Sequence, residues 1–186
     1  MAVYFEISGT PAAVIDLAAA KRQLRIDPII TYDDTRITEI IDEATAYASS
    51  YMSKRIGEQT VTLYCPEFIT DIEDIISPVS AITSIKYFDV DGNEQTLNSA
   101  DYKLYKIDEY TNRLVYTAAE LPQLYSQRDE RLVTITATVG YTTTTLPNDI
   151  RSGIMLLISY LFENRNDSPD EKVRASQTIL RRYKEW

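Results

Sequence analysis

In Leu132-Val133-Thr134-Ile135-Thr136-Ala137-Thr138-Val139, apolar and hydroxyl side chains alternate without a break from Val133 onward. That period of two belongs to a strand with one buried face, because successive side chains leave a pleated backbone on opposite sides. Val, Ile and Thr also suit the crowded surface of a sheet. Working backward, Thr60 to Tyr64, Ala81 to Asp89, Tyr102 to Ile107 and Arg113 to Thr117 share this composition and are bounded by turn residues. Asp91-Gly92, between Tyr87 and Leu97, is a hairpin signal, and Asn112 ahead of Arg113 suggests a second hairpin. Ser77-Pro78 and Leu121-Pro122 interrupt the pattern and mark crossings between strands.

On both sides of this region the apolar spacing changes to three and four. Asp16 is placed to cap a short helix through Leu24, which Asp27-Pro28 closes. Asp33 or Asp34 starts a longer helix whose stripe runs through Ile37, Ile40, Ile41, Ala44, Tyr47, Ala48 and Tyr51, with Gly57 as its terminating C′ residue. After Gly140 and the Thr142–Thr145 run, Pro147 suits a first helical turn, and Ile150, Ile154, Leu157, Ile158 and Leu161 form a wide apolar face. Gly153 lies within that face, where its missing side chain would admit a second helix closely. Ser168-Pro169-Asp170-Glu171 is a capping box opening a last helix, with Val173, Gln177, Leu180 and Tyr183 on one stripe. The expected fold is α+β: a bundle of N- and C-terminal helices with a β-rich insertion between them. The expected segments are 1–58 for the first helices, 59–140 for the insertion and 146–186 for the helices completing the bundle. Ile37, Ile41, Ala44, Ala48, Ile154, Leu157, Ile158 and Leu161 are the expected bundle core.

Composition excludes more than it selects. The chain has 186 residues, a net charge of −9, one cysteine and no histidine. The usual general base, pH switch and commonest metal ligand are therefore missing, and neither an internal disulfide nor a thiolate zinc site can form. The charge opposes a grip on nucleic acid through phosphates, while suiting a surface past which DNA slides. Met1 to Glu6 lacks a signal-peptide pattern, and Ile154 to Phe162 is too short to span a bilayer. The chain is expected to stay in the cytoplasm, or in something assembled there, with no membrane partner.

No pattern marks a catalytic site. The glycines occur singly, outside any phosphate-loop frame. Asp89-Val90-Asp91-Gly92-Asn93-Glu94 offers oxygen ligands, but its glycine comes too early for an EF-hand, so a solvated turn is the expected reading. Asp71, Glu73 and Asp74 read as an exposed acidic face, and Cys65 as a buried small hydrophobe. No catalytic residue, metal or cofactor is expected.

Several strings in order resemble tailed-phage head–tail connector (adaptor, or head-completion) proteins. Leu17-Ala18-Ala19-Ala20-Lys21-Arg22-Gln23-Leu24-Arg25-Ile26-Asp27 is similar to that family's opening, followed by Asp33-Asp34 and Ile40-Ile41-Asp42-Glu43-Ala44. Pro78 to Tyr87, the hairpin Asp89 to Leu97, Asp101-Tyr102, Val139-Gly140-Tyr141 with Leu146-Pro147, and Tyr160 to Arg165 continue the likeness along nearly the whole chain. The sequence departs from the pattern at Ser159-Tyr160 and at Arg181-Arg182-Tyr183. The resemblance implies a non-catalytic virion protein at the neck, made in the host bacterial cytoplasm. It implies a homo-oligomeric ring of about twelve copies under the portal protein, extending the DNA channel and receiving a stopper or tail-completion protein below. DNA would pass through that channel without sequence-specific binding. Because the C-terminal segment of such proteins docks on the portal, Val173, Leu180, Arg181, Tyr183 and Trp186 are the expected docking residues. The last helix is marginal alone in water, so Val173 to Trp186 would order fully only against a partner; the alternative is an ordinary intramolecular helix. Two other functions compete: a non-catalytic ligand- or protein-binding module of a phage or prophage, and an enzyme using carboxylates or a divalent metal.

Overall fold

The alternation at 132–139 becomes a central strand whose apolar half is shut away from water. A computed structural model describes residues 3–72, 75–107, 112–126, 131–164 and 174–184. In chain order the elements are β1 (Tyr4–Ser8), α1 (Leu17–Leu24), α2 (Asp34–Met52), β2 (Gln59–Cys65), β3 (Val79–Phe88), β4 (Glu94–Thr96), β5 (Tyr102–Lys106), β6 (Asn112–Tyr116), β7 (Val133–Val139), α3 (Asn148–Glu163) and α4 (Arg174–Leu180). Two compact units result: Met1–Pro11 with Glu58–Gly140, and Ala12–Gly57 with Tyr141–Trp186.

The first unit is built on a five-stranded antiparallel sheet in the order β1-β2-β7-β3-β4, accompanied by the two-stranded sheet β5-β6. Val133, Ile135, Ala137 and Val139 on β7 are buried with Val61, Leu63 and Cys65 on β2 and Val79 and Ile85 on β3. Ile72, Ile76, Leu97, Tyr102 and Leu114 complete this core. Irregularities in the β3–β7 register between Val79 and Ala81, and between Ile82 and Ser84, bend β3 where small and hydroxyl residues tolerate it. Phe68 packs edge-on against Tyr116 (5.4 Å between centroids), whose hydroxyl donates to the Ile69 carbonyl at 3.0 Å.

In the second unit Val14, Ile15, Ile37, Ile40, Ile41, Ala44, Ala48 and Met52 share a core with Ile150, Ile154, Leu157, Ile158 and Leu180. Asp16 caps α1 by accepting from the Ala19 N–H at 2.6 Å. Gly153 is where α3 and α4 approach: a Cβ built there would lie 2.8 Å from Leu180 Cδ2 and 2.9 Å from its Cγ.

Two expectations are corrected. The chain is not a helical bundle interrupted by a β-rich insertion. Among the described residues it is β-rich, with one five-stranded and one two-stranded sheet, plus four α-helices. The helical reading gave no strand to the N-terminus, yet Tyr4–Ser8 pairs residue for residue with Tyr64–Thr60 and completes the sheet from the front of the chain. That segment is too short, and too exposed on both faces, to show a decisive alternation. The long helix also ends earlier than Gly57. Ser53 adopts the left-handed conformation (φ 57°), and its N–H and that of Lys54 turn back to carbonyls of the last turn.

Gly153→Ala is expected to lower stability by about 1–2 kcal/mol, since the clash with buried Leu180 outweighs the gain of about 1 kcal/mol in helix propensity. Urea unfolding checks this, and unchanged stability would mean that α4 is not held against α3.

Candidate partner-docking surface

The C-terminal residues singled out in the sequence divide between core and surface. Leu180 is fully buried against α3, Tyr183 is half-buried against the same core, and Arg181 is exposed. Val173 and Trp186 lie outside the described residues, as does the capping box at 168–171. Around Leu180 the helix is held by polar contacts as well. Gln177 Nε2 donates to the Tyr47 hydroxyl at 2.6 Å, and the Lys184 ammonium sits 5.3 Å from the Tyr51 ring, which stacks on Tyr47. Arg182 lies 3.6 Å from Asp149, both well exposed, a pair worth little once solvent screens it. Of the expected core, Ile37, Ile41, Ala44, Ala48, Ile154, Leu157 and Ile158 are buried, and Leu161 packs half-buried on the same cluster.

The carboxylate clusters are satisfied by their own surroundings. Asp89 Oδ1 accepts from the Asn93 and Asp91 backbone N–H groups at 2.9 and 3.1 Å, and Oδ2 from Gln95 Nε2 at 2.8 Å. The hydrogen bond from the Asn93 backbone, with help from Gln95, holds this exposed carboxyl below its ordinary range. Gly92 supplies the positive φ that the turn needs. Asp71 pairs with Arg113 at 3.1 Å on an exposed face; Glu73 and Asp74 lie outside the described residues. Among the described residues no group of three or more Cys, Asp or Glu is placed to hold a metal ion, and no helix is long and apolar enough to cross a membrane. Cys65 is buried, and that burial pushes its thiol up to about 12.

The sequence reading missed the segment between α1 and α2. Lys21 is buried, and its ammonium bridges the Pro28 carbonyl (3.2 Å) and Asp34 (2.5 Å). Asp27 folds the intervening turn, its carboxylate accepting the Ile29 N–H at 2.9 Å and its carbonyl the Ile30 N–H at 3.0 Å. This framework leaves Ile29 86% and Tyr32 92% exposed. Apolar residues flanked by Asp27-Pro28 and Asp33-Asp34 were the available signal, since neither a helix nor a strand claims them. Other large apolar side chains stand exposed on β1 (Tyr4, Phe5, Ile7) and at the end of β5 (Tyr105, Ile107).

The sequence matches no family model and no curated protein. The fold does have solved counterparts. A chain in the neck of an empty gene transfer agent (GTA) particle, computed with C6 symmetry, superposes with a TM-score of 0.71 at 19% identity, covering 99% of this chain and 95% of that one. A chain in the virion of the native gene transfer agent particle gives 0.71 at 20%, with the same coverage. A chain in the neck of the native particle, computed with C12 symmetry, gives 0.65 at 18%, covering 96% and 94%. Both units of this protein are thus elements of one fold found from end to end in those chains.

Two measurements probe this surface. Asp34→Ala leaves the Lys21 ammonium buried with a single carbonyl, and is expected to cost about 1–3 kcal/mol in urea unfolding. A loss below a few tenths would show that the bridge does not hold the segment. A thiol reagent at pH 8 should leave Cys65 unmodified until the protein unfolds, because the reactive thiolate is scarce and enclosed; rapid labelling of the folded chain would contradict its burial.

Proposed function

We propose that this chain is a structural protein of the neck of a tailed-phage or phage-like particle, a head–tail connector of the adaptor type. Copies would assemble as a ring of about twelve under the portal protein, prolong the DNA channel and receive a stopper or tail-completion protein on the tail side. The observation that carries this is the end-to-end match to chains of gene transfer agent necks, which takes in both units and leaves almost none of this chain unmatched. Rotational symmetry in those necks fits an oligomeric ring here. The residue strings that resemble connector proteins point the same way and are independent of the superposition.

The chemistry of the chain agrees with such a role. The chain has no histidine, its thiol is buried, and Asp89 and Asp71 are engaged by a turn and by Arg113, which suits a structural role. A net charge of −9 would keep a channel wall from trapping DNA phosphates. The C-terminal residues Arg181 and Tyr183, with Val173 and Trp186, are proposed to face the portal. Leu180 would then act from inside, fixing the helix that presents them.

Deleting this chain's coding sequence from the phage or prophage that carries it tests the role. DNA-filled heads and separate, complete tails that fail to join are expected, with joining restored by supplying the chain. Normal joined particles in its absence would overturn the proposal.

A further inference from the structure

Strand β1 belongs to the first unit, but its covalent tether runs into the second. The chain leaves β1 at Ser8 and passes from one unit to the other between Pro11 and Ala12. Residues 9–13 are all exposed, Gly9 has a positive φ (83°), and a Cβ there would meet nothing within 4 Å. Val14 is the first residue locked into the helical core. From Ser8 to Val14 the backbone can stretch about 20 Å. What holds this arm is the backbone ladder to β2, in register from Tyr4↔Tyr64 to Ser8↔Thr60. Its own side chains bury little: Tyr4, Phe5 and Ile7 are 47%, 41% and 41% exposed.

We propose that, in the assembled ring, residues 4–8 of each copy leave their own β2 and pair with β2 of the next copy. The inference rests on the ring proposed above and names a contact that would close it. No new complementarity is needed. The strand that arrives is identical to the one that leaves, so the ladder, its register and its side-chain contacts are those already formed within one chain. The contact is also directional: each copy gives its arm to one neighbour and receives an arm from the other. Heterologous contacts of that kind close rings.

Charge favours this segment as the one to cross. Copies with a net charge of −9 repel one another, so a shared element should carry little charge of its own. Residues 3–15 contain a single charged residue, Glu6. The receiving strand, Gln59–Cys65, contains none; Glu58 and Glu67 flank it, beyond the ends of the ladder. Glu6 already has its partner on that strand. The Tyr64 hydroxyl donates to it at 3.2 Å, and the Arg131 guanidinium lies 4.9 Å from the centre of the Tyr64 ring. An exchanged arm thus delivers its one carboxylate to a waiting donor. Once other contacts bring copies together, a neighbour's arm is present at an effective concentration on the order of millimolar. Own and foreign arms then compete for the same ladder, and exchange adds a covalent tether across each junction.

The test uses the full chain carrying Ser8→Cys and Thr60→Cys. Both residues are exposed and face each other across the ladder, at a separation a disulfide can span. Cys65 is buried and stays silent. Oxidised with diamide as a dilute subunit, this variant is expected to close the link within one chain. Oxidised after assembly, with the ring checked by native mass, it is expected to join neighbouring copies into covalent multimers on a non-reducing gel. A complete ring whose links all stay within single chains would overturn the inference and leave the ring standing. A chain that stays monomeric at every concentration, alone and with portal protein, would overturn both. The internally linked subunit should also assemble roughly tenfold or more weakly, with recovery on reduction. Assembly unaffected by that lock would count against the exchange.

Discussion

The fold depends on β7 being paired along both edges. Its residues meet Cys65 to Gln59 on one side and Tyr87 to Val79 on the other, so segments far apart in sequence become neighbours through a single strand. Val133, Ile135, Ala137 and Val139 close the core beneath it. A one-residue slip of β7 would turn these side chains to the opposite face and expose a row of threonines to the interior, which fixes the register. With the centre of the sheet so constrained, variation is left to the edges: β1, whose residues are all exposed, and the short hairpin strand β4.

A second constraint operates in the other unit, where Gly153 and Leu180 bring α3 and α4 into contact. Close packing at that point makes the C-terminal helix part of the core. A buried lysine does comparable work between α1 and α2, because its charge is tolerable only while Asp34 and the Pro28 carbonyl surround it. Both devices commit buried groups to holding backbone in place. The side chains left outside, such as Ile29, Tyr32 and Arg181, are displayed by a frame that is already formed. On the surface of the other unit Asp71 is paired with Arg113, Glu94 with Lys86, and Asp89 is held by its own turn.

Most of the central strands were legible, because Val, Ile and Thr alternate there and Asp91-Gly92 announces its own turn. Helix starts at Asp16 and near Asp33 were legible for the same local reason: a short polar side chain precedes an apolar stripe. Strand β1 was not. Its residues gain their order from the partner strand β2, more than fifty positions away, and no local period encodes that pairing. The helix end at Ser53 was also hidden, since a serine in the left-handed conformation is less expected than a glycine, and Gly57 offered a stronger false signal. The bundle was expected because the helices at both ends were taken as the body of the fold and the strands as an insertion, whereas the strands build a five-stranded sheet with a core of its own. Of the docking surface, Arg181 and the close approach at Gly153 could be named, but not that Leu180 is the side chain that fills the space there, because that pairing is tertiary. The α1–α2 turn escaped notice because burial of Lys21 is a tertiary event.

An electron cryomicroscopy map of the assembled particle tests the proposed place in a particle neck most directly. The account predicts copies of this fold arranged in a ring between portal and tail, around the DNA path. Density for the chain elsewhere in the particle, or a neck built wholly of other proteins, would contradict it.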